Sequence, residues 1–143
     1  MDQPAIDLTP LRNALAMLEE ALLFWQQQPE GAALKPHLRS AVIQSFEFTY
    51  ELAVRSLRRV LIERAESADR VADLSFNDLL RAAADGGLIR DPAAWRAWRE
   101  MRNATSHAYD QAKAQAVAAS AVAFAADAAV LLGALEASLG KGG

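Results

Sequence analysis

Ile43-Gln44-Ser45-Phe46-Glu47-Phe48-Thr49-Tyr50-Glu51-Leu52-Ala53 sits in the middle of an unbroken helical pattern. Leu38, Val42, Phe46, Tyr50, Ala53, Leu57 and Leu61 recur at steps of three and four, which places them on one side of a 3.6-residue helix. Glu47 and Glu51 lie one turn apart beside that stripe. A helix of this length, from about Pro36 to Arg64, needs apolar faces on other elements to cover it. Every other long segment of the chain supplies one.

Leu11, Leu15, Leu18, Leu22 and Trp25 mark a first helix over about Leu8 to Gln28, capped by Thr9 or Asp7 and ended by Pro29 and Gly31. Ser75 with Asp78 predicts a short helix to about Ala84, stopped by Asp85-Gly86-Gly87. Asp91-Pro92 opens another that carries Trp95, Trp98 and Met101 and fades near Thr105-Ser106. Asp110 caps an alanine-rich last helix ending near Leu139, with Gly140 beyond it and residues 140–143 as a flexible tail. No run alternates as a strand would. The expectation is one all-α domain over residues 1–143, ordered over about 8–139, folded as an up-and-down bundle of about five helices.

Composition sets limits on function. The 143 residues are 52% hydrophobic, enough for a core without staples, and contain no cysteine, so disulfides and thiolate metal sites are excluded. A cytoplasmic protein without metal or other cofactor is expected. Ala112 to Leu139 is apolar, but Lys113, Asp127 and Glu136 interrupt it and alanine dominates it. It reads as a buried or interface helix, not as a membrane span. The net charge of −3 disfavours a dedicated nucleic-acid-binding module, although an enzyme that touches RNA at one local site remains compatible with it.

Chemistry concentrates in Met101 to Asp110, where ten residues hold an arginine, an asparagine, two hydroxyls, a histidine, a tyrosine and an acid. Arg102 is a permanent forked cation suited to phosphate, and His107 can move protons near neutrality. Asn103, Thr105 and Ser106 can position a phosphate or orient the imidazole. Such a set suits metal-independent RNA cleavage, in which the 2′-hydroxyl attacks its own phosphodiester. On a straight helix Arg102 and His107 lie roughly 140° apart, so the group must straddle a helix end or be completed by a second subunit.

Structural readings stand beside these. His107 can be a helix-end surface residue, and Arg102 can pair with Glu100 or Asp110. Trp95 and Trp98 suit core packing better than base stacking, and Arg96, Arg99 and Arg102 form a strip that solvent alone can satisfy. Glu47 and Glu51 either support the site or face a partner, and His37 is surface at a helix start.

Arg102, His107 and Tyr109, spaced Arg-x4-His-x-Tyr, resemble the motif of the HEPN family. The stretch Ile43 to Ala53 is similar to the second-helix pattern of its nucleotidyltransferase substrate-binding subgroup. So is Arg81 to Asp91 followed by Trp95 and Met101 to Asp110. The likeness spans about Leu8 to Leu135. It implies a dimerising helical bundle encoded beside a minimal nucleotidyltransferase, often as an RNase toxin neutralised by that partner. Carried over by position, it makes Arg102 and His107 the catalytic pair, Asn103 and Ser106 their polar support, and Tyr109 a residue the partner modifies with AMP. Three functions remain open at this point: an endoribonuclease with RNA as substrate, a non-catalytic subunit that binds substrate for or docks onto a nucleotidyltransferase, and a structural dimerisation bundle.

Overall fold

A computed structural model describes residues 6–65 and 67–141, and they are helical almost throughout. The order is α1 (Thr9–Gln27), α2 (Lys35–Arg64), α3 (Ala68–Ala72), α4 (Phe76–Asp85), α5 (Pro92–Ala104), a 3₁₀ turn (Thr105–His107) and α6 (Gln111–Lys141). α1, α2 and α6 pack on one another, and α4 and α5 close the remaining side against α2 and α6. The expected all-α bundle is what forms, with six α-helices among the described residues where about five were expected.

The additional one is α3. Five residues show no measurable periodicity, so it is invisible to pattern reading. It is held from outside itself: Arg58 Nη1 donates to the carbonyls of Val71 and Leu74 at 3.1 Å each. A cation there also suits the negative end of the short helix. The other difference is at the C-terminus. α6 runs through Gly140 and Lys141, two residues past the expected stop, while Gly142 and Gly143 lie outside the described residues.

The predicted stripes are the core. Leu11, Leu15, Leu18, Leu22 and Trp25 of α1 are buried, as are Val42, Phe46, Tyr50, Ala53, Leu57 and Leu61 of α2. Three caps form as read: Ser75 Oγ accepts from the Asp78 amide, Asp91 Oδ1 from Ala93, and Asp110 Oδ1 from Ala112 and Lys113. The N-cap of α1 is instead Leu8, and Asp7 just ahead of it accepts from the Thr9 amide through Oδ1. Of the two glycines after α4, only Gly87 takes a left-handed backbone, at φ 75°.

α6 is long and apolar enough to cross a bilayer by length and composition alone. Its inner face, including Val117, Ala121, Phe124, Ala128, Leu131 and Leu135, is buried within the bundle. Alanine at so many of these positions lets α1 and α2 approach closely. Phe124 is the hub: its ring lies edge-on to Phe46 at 4.9 Å and to Trp95 and Trp98 at 5.9 Å each, with Tyr50 at 6.4 Å. One side chain thereby fixes α5 against α2 and α6, and α5 carries the polar cluster.

Candidate active site

α5 ends at Ala104 because Thr105 and Ser106 turn their hydroxyls back on the chain. Thr105 Oγ1 donates to the Arg102 carbonyl at 2.7 Å, and Ser106 Oγ to the Asn103 carbonyl at 3.0 Å. Those carbonyls are satisfied locally, so the helix tightens into the 3₁₀ turn and stops. Arg102 therefore lies on the last turn of α5, and His107 closes the 3₁₀ turn that follows. The group straddles a helix end, one of the two arrangements its spacing demanded.

Arg102 is not paired with Glu100 or Asp110. Its partners come from α2: Nε and Nη2 both donate to Glu51 Oε1, at 3.2 and 2.6 Å, and Nη1 lies 3.5 Å from Glu47 Oε2. Nη1 also donates to Thr105 Oγ1 at 3.1 Å. Thr105 is itself buried, so the guanidinium is fixed from below as well as from the side. The hydrogen bond to Glu51, reinforced by the charges of Glu47 and Glu51, raises the Arg102 pKa above its already high ordinary value. Arg102 stays charged at any working pH. Glu47 and Glu51 both pair with Arg102.

His107, Asn103, Ser106 and Tyr109 are all exposed. The His107 and Tyr109 rings stand 6.1 Å apart at a tilt of 67°, and Tyr109 is 84% exposed. Phe24 and Phe48 are also exposed, but Tyr109 is the most exposed of the large hydrophobic side chains among the described residues. Asp110 is committed to capping α6. Trp95 is buried, and Trp98 donates its indole N–H to Asp127 Oδ2 at 2.9 Å, so both tryptophans pack and neither offers a free stacking platform.

Tyr50 is a participant that pattern reading placed only in the core stripe. Its ring packs against Phe46 and Phe124, but it lies between Glu47 and Glu51 on α2 and feels the charges of Arg99 and Arg102. Burial dominates nonetheless and pushes its pKa up to about 12, so it is a neutral hydroxyl. No three His, Cys, Asp or Glu side chains converge among the described residues as a metal site would require. A forked cation on two carboxylates, an exposed imidazole and several hydroxyls can bind a phosphate and move a proton beside it.

Residues 6–137 match the family described as nucleotidyltransferase substrate binding protein like. The chain belongs to that family. It is 37% identical over 133 residues to a protein of Haemophilus influenzae called a probable ribonuclease HepT, a match covering 89% of this chain and 90% of that one. A solved Haemophilus influenzae structure, described as revealing the fold of a substrate binding domain of a nucleotidyltransferase, superposes with a TM-score of 0.84 at 37% identity. That superposition covers 91% of this chain and 99% of the other. The resemblance to the HEPN subgroup of nucleotidyltransferase substrate-binding proteins therefore holds over nearly the whole chain.

Proposed function

We propose that this protein is a metal-independent endoribonuclease that works with, and is neutralised by, a minimal nucleotidyltransferase. The observation that supports the reading is that α5 ends between Arg102 and His107, with the arginine braced by α2 and the imidazole of the following turn open to solvent. The name given to the Haemophilus relative supports it.

In the proposed reaction the RNA 2′-hydroxyl attacks the adjacent phosphorus. A 2′-O–P bond forms and the P–O5′ bond breaks, leaving a cyclic phosphate and a 5′-hydroxyl. His107 takes the 2′ proton, and a second imidazole protonates the leaving oxygen. Arg102 offsets the charge growing on the phosphoryl oxygens. Asn103 and Ser106 stand beside this pair as polar support.

The need for a second imidazole favours a two-fold dimer. An apolar groove of about 440 Å³ runs between α5 and α6 beside the cluster, walled by Ala97, Met101, Ala104 and Val117 and rimmed by Glu100 and Lys113. In a self-complementary contact, Glu100 of one copy can meet Lys113 of the other. Tyr109 is the proposed acceptor of AMP: its hydroxyl attacks the α-phosphorus of ATP held by the nucleotidyltransferase, and pyrophosphate leaves. An adenylate there adds bulk and negative charge beside His107, where RNA must bind.

A non-catalytic subunit that carries substrate for a nucleotidyltransferase is the second reading. The acidic pI of about 5.4, the two carboxylates on Arg102 and the description of the solved Haemophilus structure favour it. RNA cleavage in EDTA separates the two. Loss of cutting in both His107→Ala and Arg102→Ala supports the ribonuclease, whereas an inert, unmodified wild-type protein that still binds the nucleotidyltransferase supports the second.

A further inference from the structure

Arg102 has five N–H donors; hydrogen bonds to Glu51 and Thr105 occupy three of them, and Glu47 lies 3.5 Å from Nη1 as an ion pair. A phosphodiester has two non-bridging oxygens with several lone pairs. The two remaining donors of Arg102 cannot meet all of those lone pairs, so a bound phosphate has room for further donors. The donors nearest at hand are on the same faces of α2 and α5.

Tyr50 follows Glu47 by three residues and precedes Glu51, so all three share one side of α2. Its ring is locked by Phe46 at 6.2 Å and Phe124 at 6.4 Å, and the residue as a whole is 8% exposed. Its hydroxyl nevertheless makes no hydrogen bond among the described residues and is not among the polar atoms sealed from solvent. A hydroxyl on so buried a ring usually has a partner within the protein. Arg99 lies one turn before Arg102 on α5, lies over the Phe76 ring at 4.7 Å, and makes no ion pair among the described residues. Glu47 and Glu51 together outweigh Arg102 by one negative charge, and Arg99 brings the four to neutrality, so an anion held there needs Arg99 and an uncharged donor as well as Arg102.

We propose that the Tyr50 hydroxyl, with Arg99 beside it, binds a non-bridging oxygen of the RNA phosphodiester next to Arg102. The inference rests on the ribonuclease reading for its substrate, while its geometry does not depend on cleavage. Tyr50 is a donor and not a base: burial raises its pKa to about 12, which keeps the proton on the oxygen near neutral pH. The rigid ring gives the hydroxyl a fixed place, which a longer and more flexible side chain lacks.

Tyr50→Phe is a clean test because it keeps the ring and removes only an atom with no hydrogen-bond partner among the described residues. The melting temperature is expected to change by less than about 2 °C. Cleavage of RNA in EDTA is expected to lose about tenfold in kcat/KM, the effect of one hydrogen bond to a charged oxygen. A 2′-deoxy oligonucleotide of the same sequence, which cannot be cut by this route, is expected to bind the variant about three- to tenfold more weakly. Arg99→Gln should weaken the same binding and flatten its dependence on salt.

The outcomes separate. Cleavage by wild type with Tyr50→Phe equally active overturns the phosphate role and leaves the ribonuclease intact. No cleavage by wild type removes the ribonuclease, and the oligonucleotide then decides: weaker binding by Tyr50→Phe upholds the phosphate site, and equal or absent binding overturns it.

Discussion

Replacing Phe124 by alanine should be among the most damaging single changes in the chain. The side chain is fully buried and touches four aromatic rings from α2 and α5 at 4.9 to 6.4 Å. Truncating a buried phenylalanine costs about 3–5 kcal/mol, and each lost edge-on ring pair adds up to about 1 kcal/mol where the cavity does not collapse. Alanine already occupies Ala121, Ala125 and Ala128 on the same helix, so the surroundings have little bulk to move into the gap. The expected loss is about 4–5 kcal/mol, a large share of the ~5–15 kcal/mol that stabilises such a domain. That corresponds to a fall in melting temperature of roughly 15 °C. Urea unfolding followed by circular dichroism reads it directly, with Phe124→Leu as a partner variant losing about 1–2 kcal/mol. A loss under about 2 kcal/mol for Phe124→Ala would refute the view that this ring ties α5 to the bundle.

Other consequences are more local. Trp98→Phe leaves the half-buried Asp127 carboxylate without its 2.9 Å donor and should cost about 1–2 kcal/mol by chemical denaturation, most of it recovered when Asp127→Leu is added. Asp110→Ala removes the acceptor for the Ala112 and Lys113 amides and should cost about 1 kcal/mol, with faster amide exchange confined to the first turn of α6. Tyr50 is protonated up to about pH 12 in the folded protein but only to about 10 when unfolded. Its contribution is therefore fully present below pH 10 and is lost as pH rises towards 12, and Tyr50→Phe should flatten the decline in melting temperature over that window.

The fold was legible because its long helices carry their apolar stripes at full length and announce their ends with Asp7, Ser75, Asp91 and Asp110. α3 was not, since five residues held by a distant arginine leave no periodic trace. The motif from Arg102 to Tyr109 stood out by composition, and its spacing left two arrangements open, a helix end inside it or completion by a second subunit. What pattern reading missed was non-local. Nothing near Arg102 in sequence says that its partners are Glu47 and Glu51, some fifty positions away. The one available sign was that those acids lie a turn apart beside the buried stripe of α2. Tyr50 was hidden for a different reason: an apolar ring fills a core position so well that its hydroxyl attracts no notice until Arg99 and Arg102 are seen around it.

The central claim is that Arg102 and His107 cut RNA without metal. It is tested most directly by incubating purified protein with tRNA in EDTA and determining the chemistry of any new ends, alongside His107→Ala. Cyclic phosphate and 5′-hydroxyl ends that vanish in the variant are the predicted result. Intact tRNA after incubation with protein whose Tyr109 is shown by mass spectrometry to be unmodified would contradict it, as would ends that persist without His107.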